Sequence, residues 1–265
     1  MTYEFLSAES IPGYIAARAE LLGVVDPSAI TEIREVGDGN LNLVFIVNDS
    51  AGGSVVLKQA LPYVRLVGPD WPMTPDRAKR EVESLQLHGE VAGALVPRVY
   101  LFDSERYIFA MEDLSDHLVW RGALMRGLRH EGVAERMGEY VADVAFGTSV
   151  LAVDPEEHKR RVAGSINPEL CTITEDLVFT EPYVDAERNS YLAANAPDVA
   201  ALAADATMVR EIAHAKWVFM THAEALIHGD LHTGSVMVRA ARGDDGPVSS
   251  AKAFDSEFAF YGPVA

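Results

Sequence analysis

The stretch IHGDLHTGSVMV spans residues 227–238 and places two histidines and an aspartate between apolar flanks. His228 and His232 are four residues apart, a spacing that two zinc ligands on one helix face would need. The glycines beside them disfavour a helix, however, and the glutamate of an H-E-x-x-H zinc motif is missing. A polar loop fits the pattern better, because the carboxylate of Asp230 can accept a hydrogen bond from a substrate hydroxyl there. We therefore predict a catalytic loop centred on Asp230, with the two histidines bonding the loop backbone as scaffolding.

A second acidic motif follows about twenty residues later. The segments SVMVRA and AKAF, joined by the turn RGDDGP, predict a β-hairpin. Its second strand ends in FDSEF, which places Asp255 and Glu257 two residues apart. Hard carboxylate oxygens of this kind suit Mg²⁺, which is usually held by one or two carboxylates together with phosphates and waters. We predict that Asp255 and Glu257 are the metal ligands of a nucleotide site, although an Asp-x-Glu pair alone is common on protein surfaces.

The N-terminal part has a β-rich pattern. The runs LVFIV and SVVLK, joined by NDSAGG, predict a β-hairpin, and VPRVYLFDSERYIFAMEDL predicts a second one. Two helices are also predicted here, one over residues 6–23 and one that begins at Pro75 with Thr74 as its N-cap. Together these segments predict a small antiparallel sheet with one helix packed across it.

This sheet carries the candidates for nucleotide binding. The loop VGDGNLN offers the backbone N–H groups of Gly37, Asp38, Gly39 and Asn40 to phosphate oxygens, although it is equally typical of an ordinary turn. Lys58 ends the apolar run VVLK and is expected to reach the phosphates.

Two further assignments complete the nucleotide site. A glutamate of the following helix should orient Lys58, and we favour Glu81 over Glu83. Glu112, Asp113 and Leu114 in MEDL occupy the crossover to the second half, where backbone groups can bind an adenine edge.

Composition excludes several classes of protein. The chain has 22 basic and 40 acidic residues, a net charge of −18, which argues against nucleic acid or an anionic membrane as the main partner. Its single cysteine, Cys171, excludes a disulfide framework or a cysteine metal site within one chain. The N-terminus lacks the pattern of a signal peptide, and no apolar run approaches the length of a membrane span. We therefore expect a cytoplasmic protein.

After Leu114 the periodicity becomes mostly helical. We predict an α+β fold of two lobes, a nucleotide-binding lobe over residues 1–113 and a helical catalytic lobe over residues 114–265. A loop with glycines, a strand lysine, a helix and then a His-Gly-Asp loop follow in the order of a protein-kinase-like phosphotransferase.

The motifs HGDLHTGS and FDSEFAFYGP resemble those of the aminoglycoside phosphotransferase and choline kinase superfamily. GDGNLNLVF, VVLKQALPYVRLVGPDWPMTPDRA and MEDL extend the resemblance to its 5-methylthioribose kinase family. That resemblance implies ATP and Mg²⁺ as cofactors, phosphorylation of the 1-hydroxyl of 5-methylthioribose in methionine salvage, and a homodimer.

The resemblance also implies roles for single residues. Asp230 would bind and orient the hydroxyl, and Ser235 stands where most of the superfamily has a metal-binding asparagine. Ser256 would lie with its acidic neighbours at the nucleotide phosphates, while Asn40, Lys58 and the crossover backbone would contact ATP.

Members of that family continue past the position of FAFYGPVA with helices that supply substrate-binding arginines, so we expect this chain to be part of a longer protein. Two alternatives stay open at this stage. One is another small-molecule kinase of the superfamily, acting on an aminoglycoside, choline, homoserine or a different sugar. The other is a shortened, nucleotide-binding pseudokinase.

Overall fold

The computed structural model describes residues 3–37, 41–65 and 67–264 of the chain. Asp38, Gly39 and Asn40, which the sequence nominates for phosphate and ATP binding, lie outside the described residues. The fold of the remainder is α+β, as predicted: an antiparallel sheet with one long helix, followed by a mostly helical part.

The N-terminal sheet contains five strands in the order β1-β2-β3-β5-β4, with all neighbours antiparallel. The strands are β1 (Ile30–Glu35), β2 (Asn42–Asp49), β3 (Ser54–Ala60), β4 (Val99–Asp103) and β5 (Ile108–Met111). Both predicted hairpins are therefore present. The first turn is tight because the Asp49 carboxylate accepts hydrogen bonds from the backbone N–H groups of Ala51 and Gly53.

Eight α-helices lie within the described residues: α1 (Ile11–Ala16), α2 (Arg77–Ala92), α3 (Trp120–Met125), α4 (Val133–Gly147), α5 (Pro155–Gly164), α6 (Pro168–Leu177), α7 (Ala196–Ala204) and α8 (Ala206–Thr221). Two predicted boundaries are wrong. The first helix is much shorter than residues 6–23, since turns after Ala16 bury Leu21 and Val25 against the sheet. The second begins at Arg77 rather than Pro75, and Thr74 accepts a hydrogen bond from Asp76 without capping the helix.

Six further strands lie in the second part. These are β6 (Leu118–Val119), β7 (His130–Glu131), β8 (Ala225–Ile227), β9 (Val236–Ala240), β10 (Gly246–Ala253) and β11 (Phe260–Gly262). Strands β9 and β10 form the hairpin expected from SVMVRA and AKAF, while β8 pairs with β11. The register pairs Val236 with Ala253 and Ile227 with Phe260. Loops 228–235 and 254–259 are therefore clamped side by side at both ends.

Helix α2 connects the two parts of the molecule. One of its faces packs Ala78, Val82 and Leu85 into an apolar core that continues through α4, β9 and β10. A different set of apolar residues, including Ile11 and Ile15 of α1, covers the opposite face of the sheet. Because one core runs through both parts, burial holds α2 against the two clamped loops.

His88, near the end of α2, forms a buried polar link in this core. Its Nε2 lies 2.8 Å from the carbonyl oxygen of Leu226, and its Nδ1 lies 3.0 Å from the hydroxyl of Tyr140. These partners are both satisfied by a neutral ring that donates from Nε2 and accepts at Nδ1. Burial lowers the pKa of His88 to about 4, so the ring stays neutral in the folded protein at ordinary pH.

No helix in the part of the chain that the structure describes is long and apolar enough to cross a membrane.

The low pKa of His88 predicts a pH dependence of folding. The unfolded chain takes up a proton on this histidine near its ordinary pKa of 6.5, whereas the folded chain resists protonation down to about 4. Stability contributed by His88 is therefore fully present above pH 6.5 and is lost as the pH falls from 6.5 towards 4.

Urea unfolding of the wild type and of His88→Gln, which does not titrate, measures this effect. Between pH 7 and pH 5, the difference in unfolding free energy between the two proteins should shrink by about 2 kcal/mol. A difference for His88→Gln that does not change with pH would contradict the assignment.

Candidate active site

Asp230 lies in the first clamped loop, between β8 and β9, with its side chain about half exposed. The preceding residue, Gly229, has φ +81°, and a Cβ there would lie 2.2 Å from the carbonyl oxygen of Phe258. Only glycine therefore lets the first loop run so close to the second. The HGD sequence thus combines a close backbone approach with a carboxylate at the open side of the loop.

His228 supports this loop from the interior. The residue is almost fully buried, its Nε2 lies 2.9 Å from the carbonyl oxygen of Phe254, and its Nδ1 accepts from the backbone N–H of Asp230. Burial lowers the pKa of His228, which keeps the ring neutral, as these two partners require. These contacts tie the backbone of Asp230 to the loop that carries the acidic pair.

His232 and Ser235 close the other side of the loop. Nδ1 of His232 accepts from the backbone N–H of Gly234 at 2.9 Å, and its Nε2 lies 3.5 Å from a carboxylate oxygen of Asp230. The buried hydroxyl of Ser235 accepts from the backbone N–H of His232 and lies 3.0 Å from the carbonyl oxygen of Asp230. The serine hydroxyl is thereby engaged within the loop.

Lys58 projects from β3 into the space between the sheet and the second loop. Its ammonium lies 2.8 Å from the carboxylate of Glu81 on α2 and also forms an ion pair with Asp255. Glu83, the other glutamate considered, is partly exposed and pairs with Arg80 instead. Burial alone would lower the pKa of Lys58, but the surrounding carboxylates, led by Asp255, outweigh it and raise the pKa above its ordinary value.

Three carboxylates meet around this lysine. Glu81, Asp255 and Glu257 each place an oxygen within 4.8 Å of the others, and no second group of metal-binding side chains occurs among the described residues. Burial raises the pKa of Glu81 to about 8 and also raises the pKa of Glu257. Burial would also raise the pKa of Asp255, but the neighbouring ammonium of Lys58 outweighs burial and lowers that pKa. The donor set consists of hard oxygens and therefore fits Mg²⁺.

Ser256, the residue between Asp255 and Glu257, points towards α2. Ser256 is completely buried, and its hydroxyl lies 2.6 Å from that of Ser84 on α2. Asp255 has φ +66°, a left-handed conformation that aspartate tolerates better than most residues. The contact with α2 and this local turn present Asp255 and Glu257 on the same side of the loop.

Two residues that the sequence interpretation missed complete the cluster. Arg77 at the start of α2 is fully buried with its Nε 3.3 Å from Glu257, and Asn42 at the start of β2 donates to the same carboxylate at 3.1 Å. Arg77, Glu81, Ser84 and His88 fall on one face of α2, spaced by four, three and four residues. This helical spacing of polar residues was the signal in the sequence that could have pointed to Arg77.

The crossover segment 112–114 follows β5. The side chain of Glu112 accepts from the backbone N–H of Arg98 at 3.0 Å and from Lys252 at 2.8 Å, and Asp113 accepts from the backbone N–H of Ser115. Leu114 is buried. The two acidic side chains are therefore engaged in holding the segment in place.

The chain is similar to known phosphotransferases. The family model described as "Phosphotransferase enzyme family" matches residues 32–265. Methylthioribose kinase of Citrobacter koseri is 47% identical over 91% of this chain and 59% of its own length. Methylthioribose kinase of Cronobacter sakazakii is 46% identical over 94% of this chain and 61% of its own length. The chain thus spans about 60% of the length of these curated relatives.

One solved structure supports the fold. A protein of Thermobifida fusca, named as a candidate fructosamine-3-kinase, matches 97% of this chain and 76% of its own chain with a TM-score of 0.50. At 17% sequence identity this likeness concerns the fold alone. The predicted α+β, kinase-like architecture is thereby confirmed.

Two glycine-to-alanine substitutions should have opposite effects on stability. Gly229→Ala introduces a side chain at positive φ and against the Phe258 carbonyl, which should cost roughly 2 kcal/mol or more. Gly138→Ala, inside α4 with nothing within 4 Å of the new Cβ, should gain about 0.5–1 kcal/mol. Chemical denaturation of both variants measures this, and a Gly229→Ala protein as stable as the wild type would disprove the close approach of the two loops.

Proposed function

The chain belongs to the phosphotransferase enzyme family, and from this premise we propose that the protein is an ATP-dependent kinase acting on the 1-hydroxyl of 5-methylthioribose. One observation carries the reaction class: the loop that carries Asp230 runs alongside the loop whose acidic pair meets Lys58 and Glu81. The choice of acceptor is supported by the methylthioribose kinases that match more than nine-tenths of the chain.

In this proposal Asp230 is the catalytic residue for the acceptor. Its half-exposed carboxylate accepts a hydrogen bond from the sugar's 1-hydroxyl and turns that oxygen towards the γ-phosphorus. A bond forms between the sugar oxygen and the γ-phosphorus, the bond to the β–γ bridging oxygen breaks, and ADP leaves. The hydroxyl proton passes to the carboxylate. His228 and His232 hold the loop, so that little reorganisation is needed when the acceptor binds.

Lys58 serves the nucleotide side of the reaction. It is positioned by Glu81 and stays protonated, so its ammonium can neutralise charge on the phosphate oxygens. We assign the backbone of Gly37, Asp38, Gly39 and Asn40 to phosphate contacts, and the backbone of residues 112–114 to the adenine edge. The buried Ser256 holds the acidic loop to α2, and its predicted contact with the nucleotide stays a prediction.

Asp255 and Glu257 are the residues that would hold Mg²⁺. Bound there, the ion would offset negative charge on the transferred phosphoryl group. Ser235 is engaged within its loop, so we expect little metal binding from its hydroxyl and assign that task to the two carboxylates.

The same proposal assigns the two lobes, the location and the partners of the protein. Residues 1–113 form the nucleotide-binding lobe and residues 114–265 belong to the catalytic lobe. We further propose that the protein is cytoplasmic, acts in methionine salvage, and forms a homodimer with neither nucleic acid nor a membrane as partner.

An acceptor panel tests this function. With the protein carrying its natural termini, ATP consumption is measured by coupled ADP detection with 5-methylthioribose, ribose, choline, homoserine and an aminoglycoside. We expect kcat/KM for 5-methylthioribose to exceed all the others. Asp230→Asn should lower kcat about 10²–10⁴-fold with this acceptor, whereas Asp198→Asn, on the exposed surface of α7, should leave kcat unchanged.

The outcomes separate the candidate functions. A preference for choline, homoserine or an aminoglycoside would change the proposed acceptor but not the proposed reaction class. Nucleotide binding without phosphate transfer to any acceptor would contradict the kinase proposal and favour a pseudokinase.

A further inference from the structure

The two carboxylate oxygens of Glu257 have different surroundings. Within residues 3–37, 41–65 and 67–264, the polar side-chain contacts of Glu257 fall on Oε2, which accepts from Nδ2 of Asn42 at 3.1 Å and lies 3.3 Å from Nε of Arg77. The residue is only 4% exposed. One oxygen is therefore held by a hydrogen bond from Asn42 and an ion pair with Arg77, and the side chain still belongs to the cluster with Glu81 and Asp255.

Arg77 makes a fixed frame around this contact. Its Nη1 donates to the carbonyl oxygens of Leu61 and Thr74 at 2.7 and 2.8 Å, and its Nη2 donates to that of Leu41 at 2.6 Å. A fully buried guanidinium carries a large desolvation cost, and these carbonyls together with Glu257 offset it. Three separate backbone segments are thereby held at one end of α2.

Asn42 joins the same frame through both ends of its amide. Its Oδ1 accepts from Nη2 of Arg77 at 3.2 Å while its Nδ2 donates to Glu257. Because each end of the amide has a different partner, the orientation of this side chain is fixed. Asn42 also lies two positions after Asn40, the last residue that is proposed above to contact the nucleotide phosphates.

We propose that Arg77 and Asn42 are positioning residues that hold one oxygen of Glu257 and thereby direct the other towards the divalent cation. Asn42 thereby connects the end of the proposed phosphate-binding loop to the metal ligand Glu257. The inference rests on the proposed function, since it assigns a purpose to residues that surround the proposed metal site. Residues of this kind set the orientation of a ligand, and their loss typically weakens metal binding 10–100-fold.

A purely structural role makes a different prediction. If Arg77 and Asn42 only stabilise the fold, their replacement lowers the melting temperature but leaves the affinity of the folded protein for metal unchanged. If they direct Glu257, metal affinity falls in variants that remain folded, and kcat at saturating Mg²⁺ is largely retained.

The experiment measures Mn²⁺ binding in the presence of ADP by the electron paramagnetic resonance signal of free Mn²⁺. Asn42→Ala is the main variant, and Asn48→Ala is its matched control. Asn48 lies on the same strand and also donates to a glutamate, Glu32, at 3.1 Å, but away from the cluster. We expect the Kd for Mn²⁺ to rise about tenfold in Asn42→Ala and to stay unchanged in Asn48→Ala.

Arg77→Lys is the second variant and should weaken Mn²⁺ binding at least as much, because lysine keeps the charge but cannot make the same set of hydrogen bonds. Should it fail to fold, Asn42→Ala still decides the question. Unchanged Mn²⁺ affinity in folded Asn42→Ala would overturn the inference even if the acceptor assay succeeds. Weaker Mn²⁺ binding in that variant would support it even if the acceptor assay fails.

Discussion

The buried ammonium of Lys58 contacts carboxylates, and these ion pairs offset the cost of removing its charge from water. The rest of the site depends on these pairs. Glu81 and Asp255 contact the ammonium directly, while Glu257 is paired with the guanidinium of Arg77. Burial raises the pKa of Glu81 and Glu257, so ionising these two acids beside Asp255 carries a cost. A divalent cation at the proposed metal site would offset that cost, because its charge favours the ionised carboxylates.

One helix and two strand pairs hold these charged groups together. Helix α2 carries its polar residues on one face. Arg77 and Ser84 contact the acidic loop, Glu81 contacts Lys58 of β3, and His88 contacts the backbone of β8. The β8–β11 and β9–β10 pairs fix the ends of the two loops, and Gly229 lets them approach. The same helix therefore supports the sheet, positions the lysine and anchors the acidic loop.

Local patterns in the sequence predicted much of this arrangement. Both N-terminal hairpins and the β9–β10 hairpin follow from turn residues and strand runs, which act over short distances. The contact between Lys58 and Glu81 was expected instead from the kinase-like order of elements, and it is present. The length of α1 was predicted wrongly because turns that bury Leu21 and Val25 override helical propensity there. Asn42 was missed because its contact with Glu257 joins residues far apart in the chain, and no local pattern indicates it. The helical spacing marks Arg77 as one of several polar residues on α2, but it does not identify Glu257 as the partner.

The central claim is that Lys58 and the two acids of the second loop act together on a nucleotide and its metal ion. A crystal structure with Mg²⁺ and a non-hydrolysable ATP analogue tests it most directly. We expect the cation on Asp255 and Glu257, with Nζ of Lys58 against a phosphate oxygen and Glu81 still paired to it. A nucleotide bound with its metal ion away from these carboxylates, or with Lys58 facing no phosphate, would contradict the account.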